Sequence, residues 1–199
     1  MSKVILSYTA IDNIHKASHT WICKTLGIET PTSEAMTKGK EAHAKIQAHV
    51  SGKTKIEGLD LPMDFPKIEY HAQKPYNDTF SFHGYCDGVN FASKSILEVK
   101  TSGSKIWSQG DFDKSMQPVY YSFVTQFRNV YLVTCKFDLS GLKVYTRQFT
   151  NEDWKRAEKW ANEAIEIIEK GDFKGGLDES GRCLGWKGGC NYGENCYFA

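Results

Sequence analysis

Two strand-like runs joined by a short turn constrain this chain more than any other stretch: Thr79 to Phe91, then Ser95 to Thr101, with the turn near Ala92-Ser93. Ile96, Leu97 and Val99 read as a buried strand. Side chains two apart on a strand share a face, so Glu98 and Lys100 point the same way. Antiparallel pairing about the turn sets Asp87 opposite Glu98. Directly opposed side chains lie roughly 4.5 to 5.5 Å apart at Cβ, where like charges repel. Two carboxylates so placed call for a cation between them, and a divalent metal is the candidate.

Hard cations such as Mg²⁺ or Mn²⁺ take oxygen ligands from one or two carboxylates and keep the rest of their shell for water and a substrate phosphate. Lys100, on the face of Glu98, would position that water or neutralise developing negative charge. Removing either carboxylate is expected to relieve repulsion and leave the fold intact. With 24 Asp and Glu and 25 Lys and Arg in the chain, an acid followed by Glu-x-Lys also arises by chance. The flanking elements decide.

Upstream, Ser33 to Val50 reads as a helix, with Ala42, Ile46 and Val50 at helical spacing and Gly39, Glu41 and His43 inside it. A lone helical histidine is more often a surface or satisfied core residue than a ligand. Downstream, Ser115 to Asn129 reads as a second helix, with Val119, Phe123 and Phe127 on one stripe and Gln117 and Tyr121 one turn apart on another. Tyr121 in isolation reads equally well as a packing residue.

Taken in order, Gly39-x-x-x-His43, Gly84-x-x-Asp87, Glu98-x-Lys100 and Gln117-x-x-x-Tyr121 resemble the PD-(D/E)XK nuclease superfamily, in particular its RecB-like exonuclease branch. That branch includes CRISPR-associated adaptation nucleases and phage exonucleases, and the resemblance covers nearly the whole chain. It implies an α/β (α+β) fold with a restriction-endonuclease-like core, a mixed central sheet flanked by helices. It implies that His43, Asp87, Glu98 and the backbone carbonyl of Val99 hold the metal and that Lys100 is the catalytic lysine. Gln117 and Tyr121 would shape the site and touch the DNA strand.

Six cysteines add a second signal: Cys23, Cys86, Cys135, Cys183, Cys190 and Cys196. The last three lie in a segment too rich in Gly and Asn for a regular helix or strand. Cys23 sits near the end of a helix expected from Thr9 to Leu26, with Gly27 as its stop. In the RecB-like branch one such cysteine joins three C-terminal ones around a [4Fe-4S] cluster, and thiolates from four cysteines are standard ligation for it. The resemblance therefore implies Cys23, Cys183, Cys190 and Cys196 as ligands, in a lobe formed by residues 1–30 and 175–199 of one 1–199 nuclease domain. The gap from Cys183 to Cys190 is wider than the family's usual close pair. A Cys₄ zinc site and unligated thiols are the alternatives. Cys86 and Cys135, in strand-like runs, read as small buried hydrophobes.

Composition fits one compact domain: 199 residues, 40% hydrophobic, with a formal net charge of only +1. Any DNA-binding surface must then come from local clusters: Lys38 and Lys40; Lys100 and Lys105; Lys155, Arg156 and Lys159. Solvated helix faces look the same. No run of 18 apolar residues and no signal-peptide core is present, which predicts a cytoplasmic protein with reduced thiols and no membrane partner.

Gly52 to Pro66 reads as a loop before the sheet, and Lys67 to Gln73 as the first strand of a meander, ending in the turn signal Lys74 to Asp78. Ser102 to Lys114 reads as a flexible connection in which Trp107 either stacks on a base or caps the core. Asn129 to Phe137 and Leu142 to Phe149 are further strands about the turn Asp138 to Gly141. Thr150 to Lys170 reads as an amphipathic helix opened by Thr150-x-x-Asp153, with Trp154, Ala157, Trp160, Ala161, Ile165 and Ile168 inward. The expectation is a divalent-metal-dependent DNA exonuclease acting on single strands or ends in recombination, repair or CRISPR adaptation, with partner proteins from those processes. The alternatives are a structure-specific endonuclease on the same fold and an inactive metal-cluster DNA-binding module.

Overall fold

Short hydroxyl and acidic side chains start four of the five described helices. Ser7 Oγ accepts the Ala10 N–H at 3.2 Å, and Ser33 Oγ accepts that of Met36 at 3.2 Å. Ser108 with Asp111, and Thr150 with Asp153, satisfy each other's backbone N–H groups reciprocally. Each cap removes orphan donors from a first turn, typically worth about 1 kcal/mol. The computed structural model describes residues 3–29 and 32–173. Its elements are β1 Val4–Ser7, α1 Tyr8–Thr25, α2 Glu34–Val50, β2 Lys67–Pro75, β3 Phe80–Asn90, β4 Ser95–Ser102, α3 Gln109–Lys114, α4 Met116–Thr125, β5 Asn129–Lys136, β6 Lys143–Gln148 and α5 Asn151–Lys170.

The strands form one mixed sheet in the order β1-β3-β4-β5-β6, with β2 also paired to β3. β2–β3, β3–β4 and β5–β6 run antiparallel, whereas β4 and β5 run parallel, from Ser95↔Asn129 to Ser102↔Lys136. The parallel pair needs a crossover, and α3 and α4 supply it. This is the mixed sheet flanked by helices that the sequence implied.

Contacts divide the chain into two compact units: Met1–Ile5 with Ser33–Glu158, and Leu6–Thr32 with Lys159–Ala199. In the first, Ile46 and Val50 of α2 pack with Leu97 and Val99 of β4, Val133 and Cys135 of β5, and the loop residues Leu59 and Phe65. In the second, Trp160 stacks on His15 at 5.3 Å, and the His15 imidazole Nε2 lies 2.8 Å from the Trp160 carbonyl oxygen. No described helix is long and apolar enough to cross a membrane.

Four expectations need correction. Ser102 to Lys114 is not wholly a flexible connection, because the Ser108 capping box organises α3 within it. The helix expected to reach Asn129 ends at Thr125, where Gln126 turns left-handed at φ 61°, so Phe127 lies beyond the helix. β2 continues through Lys74 and Pro75, which had read as turn; proline is tolerated at that strand end. β1 was not anticipated, being only four residues long.

Candidate active site

β3 and β4 pair at Asn90↔Ser95, Val89↔Ile96 and Gly88↔Leu97, and the next step would match Asp87 to Glu98. The backbone ladder gives out there. Asp87 Oδ2 instead accepts the Val99 N–H at 2.7 Å, so a side chain takes the place of a strand carbonyl. Gly88 allows the strands to close up just before this opening: a Cβ there would stand 3.0 Å from Phe65 and 3.2 Å from Leu97.

His43, on α2, brings its Nδ1 to 3.5 Å from Asp87 Oδ1. Glu98 is 2% exposed; its Oε1 lies 2.6 Å from Lys100 Nζ, and its Oε2 is buried with no hydrogen-bond partner among the described residues. Burial pushes the Glu98 carboxyl up, to about 7; Lys100 opposes the shift and Asp87 adds to it. The same two carboxylates, after burial itself, raise the adjacent Cys86 thiol and keep it neutral.

Lys100 Nζ also donates to Gln117 Oε1 at 2.6 Å, and Gln117 Nε2 donates to the Tyr121 hydroxyl at 2.9 Å. Gln117 and Tyr121 thus turn toward Lys100, and Tyr121 is buried rather than open to solvent. Burial, foremost, and Glu98 raise the Tyr121 hydroxyl far above its ordinary value. The Trp107 ring centre lies 5.7 Å from the same ammonium, and its backbone N–H donates to Thr134 Oγ1.

An open cavity of about 370 Å³ lies against Asp87, lined by Gly39, Lys40, His43, Ala44, Gln47 and Glu69. The sequence reading missed Glu69. It sits on β2 opposite Asp87 of β3, where the run of paired residues skips one step, and it is left-handed at φ 51°. Knowing the β2–β3 register would have exposed it, but the register depends on a turn whose length the sequence left open.

The structure thus brings His43, Asp87, Glu98, Lys100, Gln117 and Tyr121 into one region, with Val99 contributing its N–H. Among the described residues no group of three His, Cys, Asp or Glu side chains is arranged so that it could hold a metal ion. Cys23 is buried in α1, while Cys183, Cys190 and Cys196 lie outside the described residues. Cys86 and Cys135 are buried, as expected. Most cations in the clusters noted in the sequence pair locally: Lys38 with Glu34, Lys105 with Asp111, Lys155 with Glu152.

No family model matches the sequence, and no curated protein does. Solved structures do match in fold. The protein SSO0001 aligns with TM-score 0.61 at 14% identity, covering 84% of this chain and 78% of that one. An alkaline exonuclease from Laribacter hongkongensis gives 0.55 at 12% identity, over 83% and 88%. A phage related exonuclease from Haemophilus somnus gives 0.50 at 14%, over 82% of each. The chain shares the fold of exonuclease structures.

Proposed function

We propose that the chain is a divalent-metal-dependent DNA exonuclease of the RecB-like PD-(D/E)XK type. The observation that carries this reading is the buried Glu98 Oε2, which has no hydrogen-bond partner among the described residues, beside Asp87 and His43 at the point where β3 and β4 part. A carboxylate oxygen held without a donor is costly unless something positive joins it. The two carboxylates of Asp87 and Glu98 and the Val99 carbonyl are the oxygen donors that Mg²⁺ or Mn²⁺ takes, with the His43 imidazole completing the proposed ligand set. When bound, such an ion supplies an acidified water and charge neutralisation on the phosphate.

The residues themselves set the geometry. Asp87 ties α2 to β4 through His43 and the Val99 N–H. Lys100 spends two of its three N–H donors on Glu98 and Gln117. The third remains for a phosphate oxygen or the attacking water. Gln117, oriented by Tyr121, fixes the direction of that donor. DNA as substrate draws support from the fold neighbours, one of which was solved with dAMP. Action on strand ends, and a setting in recombination, repair or CRISPR adaptation, belong to the same proposal.

The test is digestion of end-labelled linear and circular single-stranded DNA with Mg²⁺ or Mn²⁺. Loss of the linear substrate alone, stopped by EDTA and by Glu98→Ala, is the expected result. Full activity of Glu98→Ala in EDTA would overturn the reading. Cys23, Cys183, Cys190 and Cys196 are the proposed [4Fe-4S] ligands. Anaerobic protein should contain about four irons per chain and lose them in Cys190→Ala; one zinc, or no metal, removes the cluster from the proposal.

A further inference from the structure

We propose that His71 and Tyr85 form a base-stacking platform that receives a single DNA strand beside the candidate active site; the inference rests on the nuclease reading above. The two residues face each other across β2 and β3, and their rings are parallel within 2° at 4.5 Å between centres. Tyr85 is nevertheless 51% exposed, one of the largest apolar side chains left open to solvent.

His71 is held in place by a neighbour on β3. The His71 Nε2 and His83 Nδ1 atoms lie 2.7 Å apart, sharing one hydrogen bond, and His83 Nε2 reaches Ser81 Oγ at 3.2 Å. His83 is only 6% exposed, so a chain of polar contacts runs from the interior to an open ring. An aromatic surface already fixed in one orientation loses little conformational freedom when a base settles on it. Every nucleobase has a π-face, so such a surface accepts a strand without regard to sequence.

Position selects the occupant. Tyr85 is two residues before Asp87 on β3, and His71 two residues after Glu69 on β2. Asp87 and Glu69 both line the cavity. Two strand residues span roughly 6.6 Å, about one nucleotide step in an extended strand. Lys40 in the cavity wall supplies a cation for the backbone, whereas a paired duplex would bury its base faces in its own stack.

A 2-aminopurine oligonucleotide in EDTA reads the platform without cleavage. Binding to the wild type should quench the probe. Tyr85→Ala should lose the quenching and weaken binding about tenfold, while Tyr85→Phe keeps both. Binding without quenching, or Tyr85→Ala binding within about twofold of wild type, overturns the platform. So does a blunt duplex that depends on Tyr85 equally. If the wild type quenches yet cleaves nothing with metal present, the nuclease reading fails and the platform stands.

Discussion

The Asp87 carboxylate accepts the Val99 N–H at 2.7 Å, one step past the last paired residues of β3 and β4. Asp87 is therefore a structural member of the sheet as well as a candidate ligand, so its removal should cost stability as well as relieve repulsion. Asp87→Ala would leave a buried N–H without an acceptor, at a cost of about 1–3 kcal/mol. Asp87→Asn keeps an acceptor and should lose less. Both should be inactive, so urea titration of the two variants separates the structural from the chemical role.

Glu98→Gln should be inactive and more stable. With the folded carboxyl raised to about 7 from an ordinary 4.5, the folded state holds the extra proton, and wild-type stability falls as pH rises through that window. The amide has no charge to desolvate. In metal-free buffer at pH 8 its melting temperature should exceed wild type by about 2–4 °C for each kcal/mol recovered, and its pH dependence should flatten. An unstable Glu98→Gln would show that Lys100 needs the carboxylate more than burial penalises it.

Gln117→Ala frees the Lys100 ammonium from one of its two fixed partners. A hydrogen bond to a charged group is worth about 1.5–3 kcal/mol, which predicts a roughly ten- to hundredfold loss in kcat with KM for DNA little changed. Tyr121→Phe should follow the same direction more weakly. A rise in KM with kcat preserved would instead mean that Gln117 contacts the strand, as the family resemblance implies.

His83, which is not one of the candidate metal ligands, gives a second pH dependence. Burial, and then the neighbouring His71, lower its pKa below 6.5, while Ser81 contacts its ring and the Tyr120 hydroxyl bonds its backbone. The unfolded chain therefore takes up the proton first. Stability is fully present above pH 6.5 and is lost as pH falls below it, toward the lowered folded value. His83→Gln should remove that part of the acid sensitivity, as measured by thermal melts between pH 5 and 7.

The sequence made the central pairing legible because its signals were local: alternation in Ile96 to Val99, the turn at Ala92-Ser93, and helical spacing through Ala42, Ile46 and Val50. The register of Asn90↔Ser95 to Gly88↔Leu97 is the one that carries Asp87 toward Glu98, although the ladder itself stops before them; a short turn leaves little freedom of register. What escaped depends on distant groups. Nothing local to Glu69 shows that it lines the same cavity as His43, and nothing local to Val99 shows that its N–H bonds a side chain. The Ser108 cap was overlooked because a helix as short as α3 has too few residues for a periodic pattern.

β4 is hydrogen-bonded along both edges at Ser95–Leu97, antiparallel to β3 and parallel to β5, and to β5 alone from Glu98 to Ser102. Glu98 and Lys100 follow directly on the part of the strand whose amides should exchange slowest with solvent, because exposing Ser95–Leu97 requires separating the sheet on two sides. β2, joined to the sheet through β3, opens at less cost. On mild denaturation the His71 and Tyr85 stack should dissolve while Glu98 and Lys100 remain in register. The chain would then lose its hold on extended substrates before losing hydrolysis of a small phosphodiester.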